Sequence, residues 1–288
     1  MFIRKTVALF AGAILALGAT ACQAPGTTTP AAPAGSGSAA GGGGATGNIT
    51  IGIKFDQPGL GLKEGAGYTG FDVEVAKYVA KELGYNESQI VWKESPSAQR
   101  ETLIEGGQVQ LIFATYSITD TRKQKISFAG PYFVAGQDIL VKSDSTIKGP
   151  ADLAGKKLCS VTGSTPAKNI KDKYAQTVDL IEQDTYSKCV TALAAGTLDA
   201  VTTDNVILAG YAAQSQYAGK LKVVGAPFST ERYGVGLKKG DTALCTKVNT
   251  ALAKMQSSGE WQKALDKTVG PSGFKPSGDN PPKTDACS

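Results

Sequence analysis

Histidine is absent from all 288 residues, and that absence removes more chemistry than any other feature of the composition. No Ser-His-Asp or Cys-His pair can form, and the usual general base near neutral pH is missing. Zinc sites built on imidazole are excluded, and the spacing of the cysteines supplies no all-thiolate site, so neither a metal nor a cofactor is expected. Any catalysis would rest on carboxylates, lysines or tyrosines. A strong charge of either sign is lacking too. The formal charge is +5, or about +3 once Arg4 and Lys5 are set aside (5 minus 2), which is too weak and dispersed for a nucleic-acid surface. What is present is enough apolar sequence for a core: 41% of the residues are hydrophobic, in a chain long enough for one or two domains.

The N-terminus reads as an address. Arg4 and Lys5 precede an uncharged, mostly apolar run from Thr6 to Ala21. That run is about 16 residues, short of the roughly 20 that span a bilayer, and it fits a secretory signal over residues 1–21. It ends in Ala19-Thr20-Ala21-Cys22, which resembles a bacterial lipobox with Ala19 where leucine is preferred. Cys22 is then the expected lipidation site and the link to the membrane; the alternative is an ordinary signal peptide cut near Ala21. From Gln23 to Gly47 every residue but the first is Ala, Gly, Pro, Ser or Thr. Such a segment buries too little to offset its ordering entropy, so residues 22–47 are expected to be a disordered tether, about 25–30 Å in mean span.

From Asn48 onward, strand and helix patterns alternate, which indicates an α/β fold. Ile49 to Phe55 reads as a strand, and Phe71, Val75, Tyr78, Val79 and Leu83 recur at helical spacing before Gly84. A helix ending at Gly106-Gly107 and a strand over Val109 to Ala114 follow. A second unit starts near Ile147, with a strand at Lys157 to Thr162, a helix from Thr165-Pro166, a helix over Ser187 to Ala195 and a strand at Leu198 to Val201. The helix end, glycine and strand at Leu103–Ile112 echo those at Leu193–Val201, so two similar lobes are expected. The strand-like segments Gln137–Val141 and Arg232–Leu237 are candidates to join them as hinge strands. The boundaries are then 48–138 plus 232–288 for the first lobe and 139–231 for the second. Beyond Cys22 there are four cysteines, an even number in an exported chain. Of three connectivities, Cys159–Cys189 with Cys245–Cys287 is favoured because each bridge stays inside one lobe; buried free thiols are the alternative.

At Gly70–Leu83 the sequence reads G-F-D-V-E-V-A-K-Y-V-A-K-E-L. This resembles the signature of the bacterial extracellular solute-binding proteins for polar amino acids, and the resemblance extends from about Asn48 to Gly270. The string I-G-I-K-F-D-Q-P-G-L-G at Ile51–Gly61 is similar to the glutamate-binding lipoproteins of actinobacteria. The resemblance implies a type II periplasmic-binding-protein fold, with a central, mainly parallel sheet flanked by helices in each lobe. It also implies a monomer that binds its ligand between the lobes, passes it to an ABC permease and ATPase, and does no chemistry.

Three segments match the family's ligand contacts. In Ala114–Arg122, Arg122 becomes the partner of the ligand α-carboxylate, as a guanidinium fork suits, with Ser117 and Thr115 as further contacts. In Val161–Pro166, a loop before a helix N-terminus, Ser164 and Thr165 touch the ligand on closure. In Val201–Asp204, Asp204 takes the α-ammonium; a helix N-cap is its plainer role. Arg100 matches a position where glutamate and aspartate binders place an arginine, and Lys54 ends the first strand. Two cations favour an acidic side chain, although Asp56 is placed to neutralise Lys54 and both cations have surface roles as alternatives. L-glutamate is therefore the expected ligand, with glutamine or asparagine next. A sensory ligand-binding lipoprotein and an enzyme on the same fold are the rival readings.

Overall fold

The computed structural model describes residues 45–174 and 177–287. The expected signal segment, Cys22 and most of the tether lie outside them. The end of the tether does not: Ala45 donates its N–H to the Gly84 carbonyl at 3.0 Å, and Gln89 Nε2 donates to the carbonyls of Ala45 and Gly47 at 3.0 and 2.6 Å. Residues 45–47, ahead of Asn48, are thus held to the fold, because backbone groups of an Ala/Gly segment can be recruited by a neighbouring amide side chain.

Two five-stranded sheets carry the fold, and they share one plan. The first runs β5 (Ile90–Glu94), β1 (Ile49–Ile53), β6 (Leu111–Ile112), β13 (Glu231–Leu237), β7 (Ser127–Ala135). Its first three strands are parallel, and β13 is antiparallel to both neighbours. The second runs β10 (Asp179–Gln183), β9 (Lys157–Val161), β11 (Ala200–Asp204), β8 (Gln137–Lys142), β12 (Leu221–Val223), again with three parallel strands and then an antiparallel one between two neighbours. The echoing segments of the sequence supply β6 and β11, the third strand of each sheet. A small ribbon, β2 (Asp56–Gln57), β3 (Gly61–Glu64) and β4 (Gly67–Thr69), fills the Gly/Pro-rich turn.

Helices cover the sheets. α1 (Phe71–Glu82) buries Phe71, Val75, Val79 and Ala80 against β1, α7 (Thr242–Ser257) and α8 (Glu260–Thr268). It can start only because Gly70 precedes it: φ is 116° there, and a Cβ would stand 2.1 Å from the Leu60 carbonyl oxygen. The short α2 (Arg100–Glu105) and α3 (Asp120–Lys123) follow β5 and β6. α4 (Thr165–Tyr174), α5 (Tyr186–Ala195) and α6 (Asn205–Ala212) pack on the second sheet. Cys159 of β9 is bonded to Cys189 of α5, and Cys245 of α7 to Cys287 of the C-terminal segment. No helix among the described residues is long and apolar enough to cross a membrane.

Several sequence expectations shift. The strand at Leu198–Val201 sits later, at Ala200–Asp204, because Thr202–Asp204 continue the ladder with Gln137–Ile139 of β8. Val201–Asp204 is therefore strand throughout, with Asp204 at its end. The two proposed hinge strands lie within the sheets, β8 in the second and β13 in the first. The chain crosses between sheets at Gly136, between β7 and β8, and over residues 224–230, between β12 and β13.

Candidate functional site

In sheets with parallel strands, ligands gather at the carboxyl ends of those strands, where backbone and loop groups converge. Both sheets point such ends at one hollow. From the first come Ser97 and Arg100 after β5 and Thr115 and Arg122 after β6; from the second come Ser164, Thr165 and Pro166 after β9, Tyr186 after β10, and Asp204 and Ile207 at the end of β11 and in α6. Together they line a hollow of about 230 Å³. The two sides are shut on the hollow, so a solute enters only when they part. A surface groove between α1 and α8 holds none of these residues.

Six of the eight expected ligand residues thus converge. Arg122, expected as either ligand contact or surface charge, is 8% exposed. Its Nη1 donates to the Ser117 carbonyl at 2.8 Å and its Nη2 to the Gly163 carbonyl of the second half at 3.1 Å, while Nε pairs with Glu101 at 3.3 Å. A guanidinium has five N–H donors, so donors remain. Arg100 is 2% exposed and donates from Nε to the Ser95 carbonyl at 3.1 Å. The guanidiniums of Arg100 and Arg122 lie 4.9 and 4.8 Å from the centroid of the Tyr116 ring, which disperses part of their mutual repulsion. Arg122 has Glu101; Arg100 makes no ion pair among the described residues, and burial followed by the Arg122 charge lowers its pKa.

Asp204 stands opposite, 2% exposed. It stands at the N-cap position of α6, as its alternative reading has it, but its side chain accepts no capping bond from the helix. Oδ2 accepts from the Tyr233 hydroxyl at 2.6 Å, and Oδ1 is buried with no partner. Burial, then the Glu231 charge, raises its pKa well above the carboxylate range, against the Tyr233 hydrogen bond and the more distant Arg122 and Arg100. A cation beside Oδ1 would reverse that cost.

The remaining two residues differ. Ser117 flanks the hollow and accepts from Thr165 Oγ1 at 3.1 Å, a contact between the halves. Lys54 does not line the hollow: it is wholly buried and ion-paired with Asp56 Oδ1 at 3.1 Å. Burial lowers its pKa, which Asp56 partly opposes and Arg100 reinforces. Lys54 is thus held by its own neighbour rather than presented to a solute.

Ser97, Tyr186 and Ile207 in the lining, and Asp72 behind it, are not expected from the sequence. Ser97 and Tyr186 follow β5 and β10; Tyr186 would have been found had the half-exposed strand Asp179–Gln183 been recognised. Asp72, part of the G-F-D string, acts from behind. Its Oδ2 accepts from Thr115 N–H at 2.9 Å and its Oδ1 from the Tyr132 hydroxyl at 2.7 Å. Thr115 has φ of 45°, the one non-glycine residue with positive φ among those described. A β-branched residue there costs on the order of 1–3 kcal/mol, and the buried carboxylate holds it in place.

The sequence profile of the bacterial extracellular solute-binding proteins, family 3, matches residues 49–271. This chain belongs to that family. The glutamate-binding protein GluB of Corynebacterium efficiens is 46% identical to this family 3 protein over 236 residues, 78% of this chain and 79% of GluB. The ABC transporter glutamine-binding protein GlnH of Bacillus subtilis is 38% identical over 224 residues, 77% of this chain and 81% of GlnH. Among solved structures, an ancestral arginine-binding protein bound to arginine superposes with a TM-score of 0.72 at 33% identity, covering 77% of this chain and 98% of that one. The solute receptor for L-cysteine of Neisseria gonorrhoeae gives 0.73 at 28% identity, covering 80% and 94%. These relatives and neighbours are solute-binding proteins, not enzymes, and they carry the type II two-lobed α/β fold that the two sheets display here.

Proposed function

We propose that this chain is the substrate-binding component of an amino-acid ABC importer and that its ligand is L-glutamate. The α-carboxylate would pair with the free donors of Arg122 and the hydroxyls of Ser164 and Thr165, and the α-ammonium with Asp204 Oδ1. Arg122 and Asp204 come from opposite halves, so a zwitterion stabilises the shut state through contacts that the parted state lacks. One observation carries the choice of an acidic side chain: Arg100 is a buried guanidinium in the lining with no carboxylate partner. The 46% identity to a glutamate-binding protein points the same way. Glutamine is the second reading, favoured by the glutamine-binding relative at 38%. Delivery requires the domain outside the cell and near its permease; residues 1–21 as signal, Cys22 as acylated anchor and the following tether supply both. Residues 48–135 with 231–287 would move as one lobe against 137–223, as a monomer.

Calorimetric titration with glutamate, glutamine, asparagine and aspartate tests the ligand. Glutamate is expected to bind tightest. Arg100→Gln should cost glutamate about 10- to 100-fold, the scale of one or two charge-assisted hydrogen bonds, and leave glutamine within a few-fold. Tighter glutamine binding by the unaltered protein, or undiminished glutamate affinity in Arg100→Gln, rejects the acidic side chain.

A further inference from the structure

One half-buried carboxylate next to the site, Asp56, has no part in the ligand contacts; its side chain is 11% exposed. Asp56 opens the β2–β4 ribbon on the first-sheet side and does not line the hollow. Its Oδ2 accepts from the backbone N–H groups of Tyr186 at 3.0 Å and Ser187 at 3.3 Å, the first two residues of α5. The Tyr211 hydroxyl of α6 shares its one proton between the Asp56 carbonyl oxygen and that same Oδ2, the latter at 3.1 Å. α5 and α6 both pack on the second sheet. The residue preceding α5, Thr185, contributes no capping side chain, so the helix takes its cap from the opposite half. A carboxylate there satisfies open N–H groups and meets the positive end of the helix dipole.

The backbones confirm how closely this edge is pressed together. Gly210 of α6 faces Pro58, two residues beyond Asp56, and a Cβ at position 210 would stand 2.3 Å from the Pro58 carbonyl oxygen. Side chains larger than hydrogen would wedge the halves apart at this point.

The geometry points to Asp56 as a closure latch, a positioning residue that favours the shut state through α5 and α6 without touching the ligand. The inference deepens the proposed function and rests on it for its affinity readout alone; the contacts themselves are between protein groups. When a solute binds the shut state, apparent affinity scales with the fraction of molecules able to shut. Weakening the latch therefore weakens every ligand by one factor and leaves the ranking of ligands unchanged. A contact to the ligand side chain would change the ranking.

Asp56→Asn is an unsafe first variant, because the buried Lys54 ammonium loses its counter-charge. Tyr211→Phe and Gly210→Ala avoid that. Tyr211→Phe should weaken glutamate and glutamine alike by about three- to tenfold, the worth of one or two hydrogen bonds. Gly210→Ala should weaken both further, while its melting temperature holds or rises, since alanine favours a helix interior over glycine. Amide hydrogen exchange gives a ligand-free readout: Tyr186 and Ser187 should be protected in the unaltered protein and exchange faster in both variants. Unchanged affinity, a loss confined to one ligand, or unaltered exchange at Tyr186 and Ser187 overturns the latch. If the unaltered protein binds no amino acid of the panel, the ligand proposal falls, and exchange at those two amides still decides the latch.

Discussion

Asp72 and Asp204 are both buried carboxylates beside the hollow, one in each half, and their surroundings separate two uses of the same side chain. Asp72 has both oxygens occupied, by Thr115 N–H and the Tyr132 hydroxyl. Asp204 has one oxygen on the Tyr233 hydroxyl and the other bare. Burial raises the pKa of both, Asp72 to about 6 and Asp204 well above its ordinary value. A full complement of hydrogen bonds marks a group that shapes the site; an incomplete one marks a group that needs a solute. The halves around them differ in the same sense. The first is braced by aromatic contacts, with Phe71, Phe133 and Tyr233 or Trp261 at centroid distances of 5.4–6.2 Å. The second is mainly aliphatic and ties β9 to α5 through a disulfide. The first half is a platform presenting fixed cations, and the second brings the anion and the hydroxyls to it.

The sharpest way to break this contrast is Asp204→Asn. Removing the charge should cut amino-acid affinity about a hundred- to thousandfold, because the ligand ammonium would be buried without a counter-charge. The unliganded protein should become more stable at neutral pH, since the fold no longer has to bury a half-satisfied carboxylate or take up a proton to neutralise it. Titration and urea unfolding check the two halves of this statement. Kept affinity would give Asp204 the site-shaping role assigned to Asp72. The next effect in size concerns the second half alone. Replacing Cys159 and Cys189 by serine frees a loop of 30 residues and should lower stability by about 3–4 kcal/mol, read as a lower urea midpoint.

The contrast also explains which parts were legible in the sequence. Arg122, Ser164, Thr165 and Asp204 were visible because short Ser/Thr-rich segments follow apolar strands, and because their strings match a family pattern. Whether a cation meets solute or a neighbouring carboxylate depends on where the ribbon folds, so Lys54 and Arg100 looked alike and are not. Asp72 read as part of a motif, yet its partners Thr115 and Tyr132 are 43 and 60 residues away, beyond any local pattern. β7 was missed because Gly130-Pro131 interrupts it. Proline removes a ladder donor and is tolerated only at an edge, and β7 is the edge strand of its sheet. Tyr186 was missed with β10, whose side chains are half-buried and mostly polar. Element types followed from periodicity; the long-range partners that decide function did not.

The smallest expected effect tests Asp72 through pH. Its folded pKa of about 6 lies above the ordinary aspartate value, so between about pH 4 and pH 6 the folded protein holds a proton that the unfolded chain has lost. Stability from this group is intact below about pH 4 and falls as pH rises through about 6, by roughly 3 kcal/mol at most for a shift of about two units. Asn at this position resembles the protonated acid: its oxygen still accepts from Thr115 N–H, and its amide can donate to the Tyr132 oxygen. Asp72→Asn should therefore match the unaltered protein near pH 4 and exceed it above pH 6, with ligand affinity changed by no more than a few-fold. Urea unfolding of both proteins at pH 4, 5, 6 and 7 measures the difference. A variant that loses stability equally at every pH would show that the carboxylate's charge strengthens its two hydrogen bonds by more than burial costs. Asp72 would then be a stabilising anion rather than a tolerated one, and the distinction from Asp204 would rest on the missing partner alone.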